Sequence, residues 1–204
     1  MNKQEFLNKL YGKKIMTTPQ AIDIAVDFLS NSLIEGFRPH AYPDAGRGWD
    51  IATIGIGTTA YPNGVKVKRG DFCTLDQAKK YLRDYLSHAA ARLQVIKCWD
   101  ILDDHEKAAI FSFAYNCGTH FYGSSKYGHM TNFLDSYPLY HIEDVFRIFS
   151  LYNNKGVLTH RRLREACLFS NINWDISETK LDATAKHFLS EKFVDNLPAH
   201  SEKK

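Results

Sequence analysis

Residues 35–58, with the sequence EGFRPHAYPDAGRGWDIATIGIGT, decide the fold class of this chain. Glycines and prolines recur here and in the dozen residues that follow, at positions 43, 46, 48, 55, 57, 62, 64 and 70, where they separate short β-branched runs. Such punctuation is typical of tight turns between strands. The sequence therefore predicts a small antiparallel sheet of hairpins over about residues 40–72.

Helical patterns lie on both sides of this segment. Before it, apolar residues recur at helical spacing from residue 18, and Gly36 is expected to end that helix. After it, Thr74-Leu-Asp-Gln77 is a capping-box sequence, which predicts a long helix from residue 74 to about residue 97. The stretch from Asp104 to Cys117 is apolar almost all round and predicts the buried centre of a helical lobe. Further helices are expected over 139–152, 159–170 and 178–195.

These elements predict an α+β fold with two lobes. A small antiparallel β-hairpin lobe (about 40–72) is joined by the long helix (74–97) to a larger helical lobe (98–170). We expect residues 18–170 to form one domain, preceded by an N-terminal extension (1–17). Residues 171–204 are expected to be a C-terminal helical extension that packs on the helical lobe, with Leu181, Ala185, Phe188, Leu189 and Phe193 on its apolar face.

The composition excludes several classes of protein. Of the 204 residues, 44% are apolar and 24% are charged, which is typical of a soluble globular protein. No run approaches the roughly 18 apolar residues of a membrane span. Lys and Arg exceed Asp and Glu by 26 to 23, a net charge of +3, which suits an anionic polymer such as a cell wall. We therefore expect neither membrane insertion nor nucleic-acid binding, since nucleic-acid binders concentrate their basic residues far more.

The cysteines and the N-terminus indicate the compartment. The four cysteines, at positions 73, 98, 117 and 167, lie far apart and form no C-x-x-C pair. This usage favours reduced, mostly buried thiols in a protein made in a cytosol. The first 20 residues carry lysines but no apolar stretch of the kind that a secretory signal contains.

Two carboxyl groups of the 35–58 segment stand in contrasting environments. Glu35 is predicted to lie in the last turn of the first helix, where the helix dipole disfavours an anion and apolar groups surround it. These conditions favour the protonated form that a general acid needs. Asp44 lies in a polar Pro-Asp-Ala-Gly turn, where an ionised carboxylate is expected. Glycosidases use such a pair of carboxyl groups as acid and base. A plainer interpretation stays open, in which Glu35 is a solvated residue at a helix end and Asp44 is an ordinary turn residue.

Three separated motifs occur in order along residues 20–170. The first is EGFRPHAYPD followed by TIGIGT, the second is FSFAYNCGTHFYGSS (111–125), and the third is GVLTHRRLREACLF (156–169). Together they resemble the phage-type lysozymes, the endolysins that cut bacterial peptidoglycan. In that family a Glu-Gly and a Tyr-x-Asp turn precede a Thr-Ile-Gly-x-Gly hairpin. A buried central helix, a Phe-x-x-Ser segment and an Arg-Arg-x-x-Glu helix follow it.

This resemblance implies a lysozyme-like fold and a set of catalytic roles. Glu35 would protonate the glycosidic oxygen, while Asp44 and the hydroxyl of Thr53 would hold the attacking water on the opposite face of the sugar. The β-1,4 bond between N-acetylmuramic acid and N-acetylglucosamine would then be hydrolysed with inversion. An inverting pair of carboxyl groups is separated by about 6.5–9.5 Å. The family implies no metal and no cofactor.

The resemblance also implies substrate-binding residues. Tyr115, Asn116 and Ser124 match positions that line the family's cleft, and Arg161 matches an arginine that lies near the acid. Three plainer interpretations stay open: a core ring for Tyr115, a helix cap for Ser124 and a solvated cation for Arg161.

This chain departs from the family pattern at the hairpin. Asp44 and Thr53 are nine positions apart, which is more than the family's usual spacing, so the hairpin tip carries an insertion that contains Trp49 and Asp50. Trp49 is a further candidate for substrate contact, and Asp50 competes with Asp44 as the water-positioning carboxylate. Thr58 stands where the family often has His, so one structural polar contact must differ.

Four other functions remain as alternatives. A cysteine amidase needs a thiolate beside a His, but no cysteine here begins a helix in electropositive surroundings. The zinc-binding pattern H-E-x-x-H starts at His105 but fails at Ala109. A lytic transglycosylase would need Glu35 without a water-positioning Asp44, and a non-catalytic glycan-binding protein would need neither.

The resemblance finally implies the protein's partners and setting. Its substrate would be bacterial peptidoglycan, and its effect bacterial lysis. Synthesis in the host cytoplasm would make access to the wall depend on another factor, such as a holin. We expect a monomer.

Overall fold

The structure is a computed structural model that describes residues 18–189, and the predicted extension 1–17 and the stretch 190–204 lie outside the described residues. In chain order the elements are α1 (Thr18–Ser30), β1 (Arg38–Asp44), β2 (Gly48–Gly55), α2 (Leu75–Leu93), α3 (Asp104–Cys117), α4 (Gly128–Asp135), α5 (Ile142–Ser150), α6 (Thr159–Phe169) and α7 (Glu178–Phe188). Two short 3₁₀ turns lie at Trp99–Ile101 and Ser125–Tyr127.

The β lobe is a two-stranded antiparallel hairpin extended by isolated bridges. In its register Arg38 lies opposite Gly55 and Tyr42 opposite Thr53, and the pairing becomes irregular between Pro43 and Asp44. Single bridges join Ile54 to Thr58, His40 to Phe72 and Ala60 to Lys66. The predicted lobe at 40–72 is thus one hairpin with a bridged loop rather than a larger sheet.

Gly55 anchors this hairpin to the helix that links the lobes. Its φ is +67°, and a Cβ at this position would lie 2.8 Å from the Cβ of Ala78 on α2. A side chain is therefore excluded both by the backbone conformation and by the close approach of the helix.

The linking helix α2 begins as its sequence predicts. The Thr74 hydroxyl accepts from the backbone N–H of Gln77, and the Gln77 side chain accepts from the Thr74 N–H, which completes the capping box. The helix ends at Leu93 rather than near residue 97, because the chain then turns tightly: Ile96 N–H donates to the Leu93 carbonyl and Trp99 N–H to that of Ile96.

The helical lobe is built around α3. This helix has the predicted bounds, and its residues 108–114 are all buried. Helices α1 and α6 pack against it, and α5 and α7 pack against α6. The predicted α+β architecture, with a hairpin lobe, a linking helix and a helical lobe, is confirmed.

Helices α1 and α4 also differ from the prediction. Helix α1 ends at Ser30, because the Asn31 side chain accepts from the Leu33 N–H, while the Asn31 carbonyl accepts from the N–H groups of Ile34 and Gly36. Helix α4 was not predicted, since it is short and begins at a glycine. It is stabilised by burial of Met130, Phe133 and Leu134.

The C-terminal helix α7 packs on the helical lobe. Leu181 and Ala185 are buried, and the ring of Phe188 stacks on Phe146 with a centroid separation of 4.7 Å. Phe193, predicted on the same face, lies outside the described residues. Between residues 18 and 189 no helix combines the length and the apolar character that crossing a membrane requires.

Candidate active site

Glu35 lies in the turn that joins α1 to β1. The prediction that it occupies the last turn of the helix is wrong, because α1 has already ended at Ser30. Its side chain is 27% exposed and accepts a hydrogen bond from Nη1 of Arg161. The surroundings of this carboxyl are therefore polar and positively charged on one side, not purely apolar as expected.

Arg161 is a buried cation rather than a solvated one. Its side chain is 8% exposed, and besides Glu35 it contacts Glu165, with Nε donating to Oε1 at 3.1 Å. Its Nη2 donates to the carbonyl of Ser112 at 3.3 Å. Burial lowers the pKa of Arg161, but the carboxylates of Glu165 and Glu35 outweigh that effect and raise it. Arg161 thus stays charged beside Glu35 and fixes its orientation.

Asp44 ends β1 at the start of the hairpin turn. Its side chain is half-buried, and Oδ1 accepts from the backbone N–H groups of Gly46 and Arg47, each at 2.9 Å. These two bonds hold the carboxylate in place and leave Oδ2 free of any hydrogen bond within the described part of the chain.

Tyr42 connects the two carboxylates electrostatically. It lies opposite Thr53 in the hairpin register, under the guanidinium of Arg38 at 4.5 Å. Burial raises the pKa of Tyr42, Arg38 lowers it, and the negative charges of Glu35 and Asp44 raise it. Glu35 and Asp44 therefore both act electrostatically on this phenol. Thr53 is buried in the same strand pair.

The insertion at the hairpin tip lies further out. Trp49 is 42% exposed, and the guanidinium of Arg69 covers its ring at 5.1 Å. Asp50 is exposed, and its backbone N–H donates to the Arg47 carbonyl.

A tyrosine-lined cleft runs between the hairpin lobe and α2. One part, with a volume of about 430 Å³, is lined by residues 57–60 and by Tyr81, Leu82, Tyr85 and Tyr115. A second part of about 340 Å³ shares Ala60, Tyr81 and Tyr85 with the first and continues along α2 to His88 and Arg92. Tyr85 is 41% exposed, so an aromatic face is available to a ligand.

Tyr115 lines this cleft and interacts electrostatically with Glu35. Its hydroxyl donates to the Ile56 carbonyl at 2.6 Å, and its ring packs edge-on against Tyr85 at 5.1 Å. Burial raises the pKa of Tyr115, and the negative charge of Glu35 raises it further, so the phenol remains neutral. Tyr115 is thus both part of the packed interior and a wall of the cleft.

The two remaining predicted binding residues lie at the exit of α3 and beyond it. Asn116 is exposed, and its Oδ1 accepts from Nη2 of Arg162 at 2.9 Å. Ser124 is half-buried before the short turn Ser125–Tyr127, and its hydroxyl makes no capping hydrogen bond there. Ser124 therefore occupies the N-cap position of that turn without a side-chain cap.

Thiol and metal chemistry find no support in the described residues. All four cysteines are free, and burial raises the pKa of Cys117 and raises that of Cys167 to about 11, which disfavours a nucleophilic thiolate. Within residues 18–189 no three His, Cys, Asp or Glu side chains are grouped so that they could hold a metal ion.

Several site residues escaped the sequence prediction. Tyr42, Tyr81 and Tyr85 were not among the predicted site residues, although Tyr42 belongs to the Tyr-x-Asp motif. Glu165 and Arg162 lie in the third motif, but charged residues at helical spacing are usually solvated, so their complete burial carried no signal.

The architecture is shared with phage enzymes of known structure. An endolysin from Escherichia coli O157:H7 phage FAHEc1 superposes with a TM-score of 0.54 at 25% identity, over 77% of this chain and 93% of that one. A mutant of P22 lysozyme superposes with a TM-score of 0.53 at 24% identity, over 78% of this chain and 99% of that one. These neighbours define the class as a lysozyme-like two-lobed protein.

The sequence assigns the family. The model of the phage lysozyme family matches residues 32–165, about two thirds of the chain, and the chain belongs to that family. The matched region begins just before Glu35 and ends at Glu165, so it contains the hairpin, the linking helix and the three arginines of α6. No curated protein matches the sequence. Membership in this family supports a peptidoglycan hydrolase.

Proposed function

We propose that this chain is an inverting muramidase that hydrolyses the β-1,4 bond between N-acetylmuramic acid and N-acetylglucosamine. The observation that carries the proposal is that Glu35 and Asp44 both act electrostatically on Tyr42, and that Glu35 also acts on Tyr115, which lines a cleft of aromatic side chains. Inversion requires one carboxyl group as acid and a second as base, and the proposal assigns these roles to Glu35 and Asp44.

In this mechanism Glu35 donates its proton to the glycosidic oxygen as the bond breaks. The carboxylate that results is the form that pairs best with Arg161, so the guanidinium stabilises the negative charge as it develops. The fixed orientation of Arg161 between Glu35, Glu165 and Ser112 means that little rearrangement accompanies this charge.

Asp44 holds and deprotonates the attacking water on the other face of the sugar. Its Oδ1 is occupied by two backbone N–H groups, so Oδ2 is the oxygen left for the water. The hydroxyl of Thr53, on the paired strand, is the second contact of that water. Tyr85 and Tyr115 supply faces and edges for the sugar rings, and Asn116 and Ser124 supply polar contacts to the N-acetyl groups.

The proposal is tested with Glu35→Gln and Asp44→Asn in a turbidity assay on bacterial walls. Each substitution keeps the shape of its side chain and removes the carboxyl group, so activity should fall by about three orders of magnitude or more in Glu35→Gln. Asp50→Asn is the matched control at the same hairpin, and it should retain activity. Undiminished lysis by both Glu35→Gln and Asp44→Asn would overturn the proposal.

Mass spectrometry of the released fragments separates hydrolysis from its alternatives. Muramidase action gives products with reducing ends, whereas a lytic transglycosylase gives anhydro sugars. Wall binding without any fragment would indicate a glycan-binding protein. The expected result is reducing ends only.

The proposal includes the setting of the reaction. We expect a monomer that acts on peptidoglycan after release from the cytoplasm of its host, with a holin or an equivalent membrane-permeabilising protein giving access. Expression with and without a holin tests this: lysis should follow only when both proteins are present, and lysis without the holin would contradict it.

A further inference from the structure

A buried charge network on α6 connects the two ends of the proposed site. It consists of Arg161, Arg162 and Glu165, which follow one another over little more than one helical turn and are at most 8% exposed. Arg161 contacts Glu35, while Arg162 donates from Nη2 to Asn116 at 2.9 Å. Glu165 stands between the two arginines.

Glu165 is the only carboxylate in the described residues that both arginines share. Its Oε1 accepts from Arg161 Nε at 3.1 Å and from the Ser112 hydroxyl at 2.6 Å. Its Oε2 lies 2.8 Å from Nη1 of Arg162, close enough for a strong charge interaction although neither atom is aligned for a hydrogen bond. The side chain of Glu165 is completely buried, so water does not screen these contacts.

The charge count of this network depends on Glu165. With Glu35 ionised, the two arginines balance Glu35 and Glu165, and the sum is zero. Without the Glu165 charge, Arg161 would no longer divide its interaction between two carboxylates and would favour the ionised form of Glu35 more strongly. A general acid that is permanently ionised cannot donate a proton.

Resting on the function proposed above, we propose that Glu165 is a positioning residue that divides the charge of Arg161 and so limits how strongly this guanidinium favours the ionised form of Glu35. Through Arg162 the same carboxylate fixes Asn116 at the exit of α3. Glu165 touches no substrate in this account, and it acts only through the two arginines.

The charged and titratable groups around Glu35 come from three elements. Besides Arg161 of α6, the groups that interact electrostatically with Glu35 are Tyr42 on β1 and Tyr115 on α3. These groups stay the same in every variant below, so differences between variants report the α6 network.

The test is the pH profile of kcat/KM on purified peptidoglycan for three variants. When ionised Glu35 is counted with the network, Glu165→Gln leaves a summed charge of +1, so the alkaline limb of the profile should move to lower pH by about one unit. Arg162→Met leaves −1 and should move that limb to higher pH. The double variant returns the summed charge to zero and should return the limb toward its original position. It also removes the unbalanced buried charge, so it can be assayed if Glu165→Gln folds poorly.

Asp27→Asn is the matched control for a lost carboxylate. Asp27 forms an exposed ion pair with Lys79 on the protein surface, so its removal changes the net charge equally but should not move the limb. Circular dichroism at the assay temperature verifies that each variant is folded.

Shifts of opposite sign in the two single variants and their cancellation in the double variant would support the proposal. Activity that falls in all three variants with the limb unmoved would show a purely structural role and overturn it. If the unmodified protein releases no reducing ends, the proposed muramidase function itself fails. An active protein whose pH profile is unchanged by Glu165→Gln would instead overturn only the role proposed for Glu165.

Discussion

Gly57 offers a sharp test of how the cleft is built. Its φ is +91°, and a Cβ at this position would lie 2.7 Å from the hydroxyl of Tyr115, which donates to the neighbouring Ile56 carbonyl at 2.6 Å. Gly57→Ala therefore meets two separate penalties. The backbone strain of a non-glycine residue at positive φ is about 1–2 kcal/mol, and loss of the phenol hydrogen bond adds about 1 kcal/mol.

The expected loss of unfolding free energy is thus about 2–3 kcal/mol, measured by urea denaturation. Gly64→Ala is the matched control, because Gly64 also has a positive φ, +81°, but nothing lies within 4 Å of the added Cβ. Gly64→Ala should therefore be destabilised only by the backbone strain. In a Tyr115→Phe background the hydroxyl is gone, so Gly57→Ala should cost about 1 kcal/mol less than it does in the unmodified protein.

The reasoning would be refuted if Gly57→Ala and Gly64→Ala destabilised the protein equally and the Tyr115→Phe background changed nothing. Because Tyr115 also forms a wall of the cleft, Gly57→Ala should lower kcat/KM on peptidoglycan as well.

Three further predictions concern the cleft, the surface charge and a buried thiol. Tyr85→Ala removes an exposed aromatic face beside Tyr115 and should raise KM about tenfold in steady-state assays on soluble glycan strands. Tyr85→Phe keeps the ring, so its KM should stay close to that of the unmodified protein. Equal effects of the two substitutions would show that the ring does not bind sugar by stacking. The net charge of +3 should make lysis of whole walls weaken as salt rises, and flat turbidity rates from low to high salt would contradict this. Burial raises the pKa of Cys167 to about 11, so the folded state keeps this proton at pH values where the unfolded state has already lost it. The contribution of Cys167 to the free energy of unfolding should therefore be fully present below about pH 8.5. It should fall by about 2–3 kcal/mol as the pH rises to about 11. The Cys167→Ala variant should lose less stability over that range in denaturant titrations, and identical pH dependence in both proteins would refute the assignment.

The sequence predicted those elements whose signals are local. The capping box at Thr74 and Gln77 and the glycines of the hairpin act within a few residues, so the start of α2 and the position of the hairpin were predicted correctly. The end of α1 was misplaced because the bonds around Asn31 compete with a helical pattern that continues to Gly36.

The site was only partly predictable for a related reason. Glu35 and Arg161 are 126 positions apart, and the family resemblance alone brought them together. The sharing of Arg161 and Arg162 by a buried Glu165 depends on α6 lying against α3 and was not visible in a run of charged residues. The electrostatic coupling of Tyr42 to both carboxylates likewise arises only once the hairpin has folded.

The stereochemistry of the first product tests the central claim most directly. If Glu35 donates a proton from one face while Asp44 directs water from the other, proton NMR of a fresh digest should show the α-anomer first, followed by slow mutarotation. Initial appearance of the β-anomer would mean that the sugar is attacked twice, and it would contradict the opposed arrangement of Glu35 and Asp44.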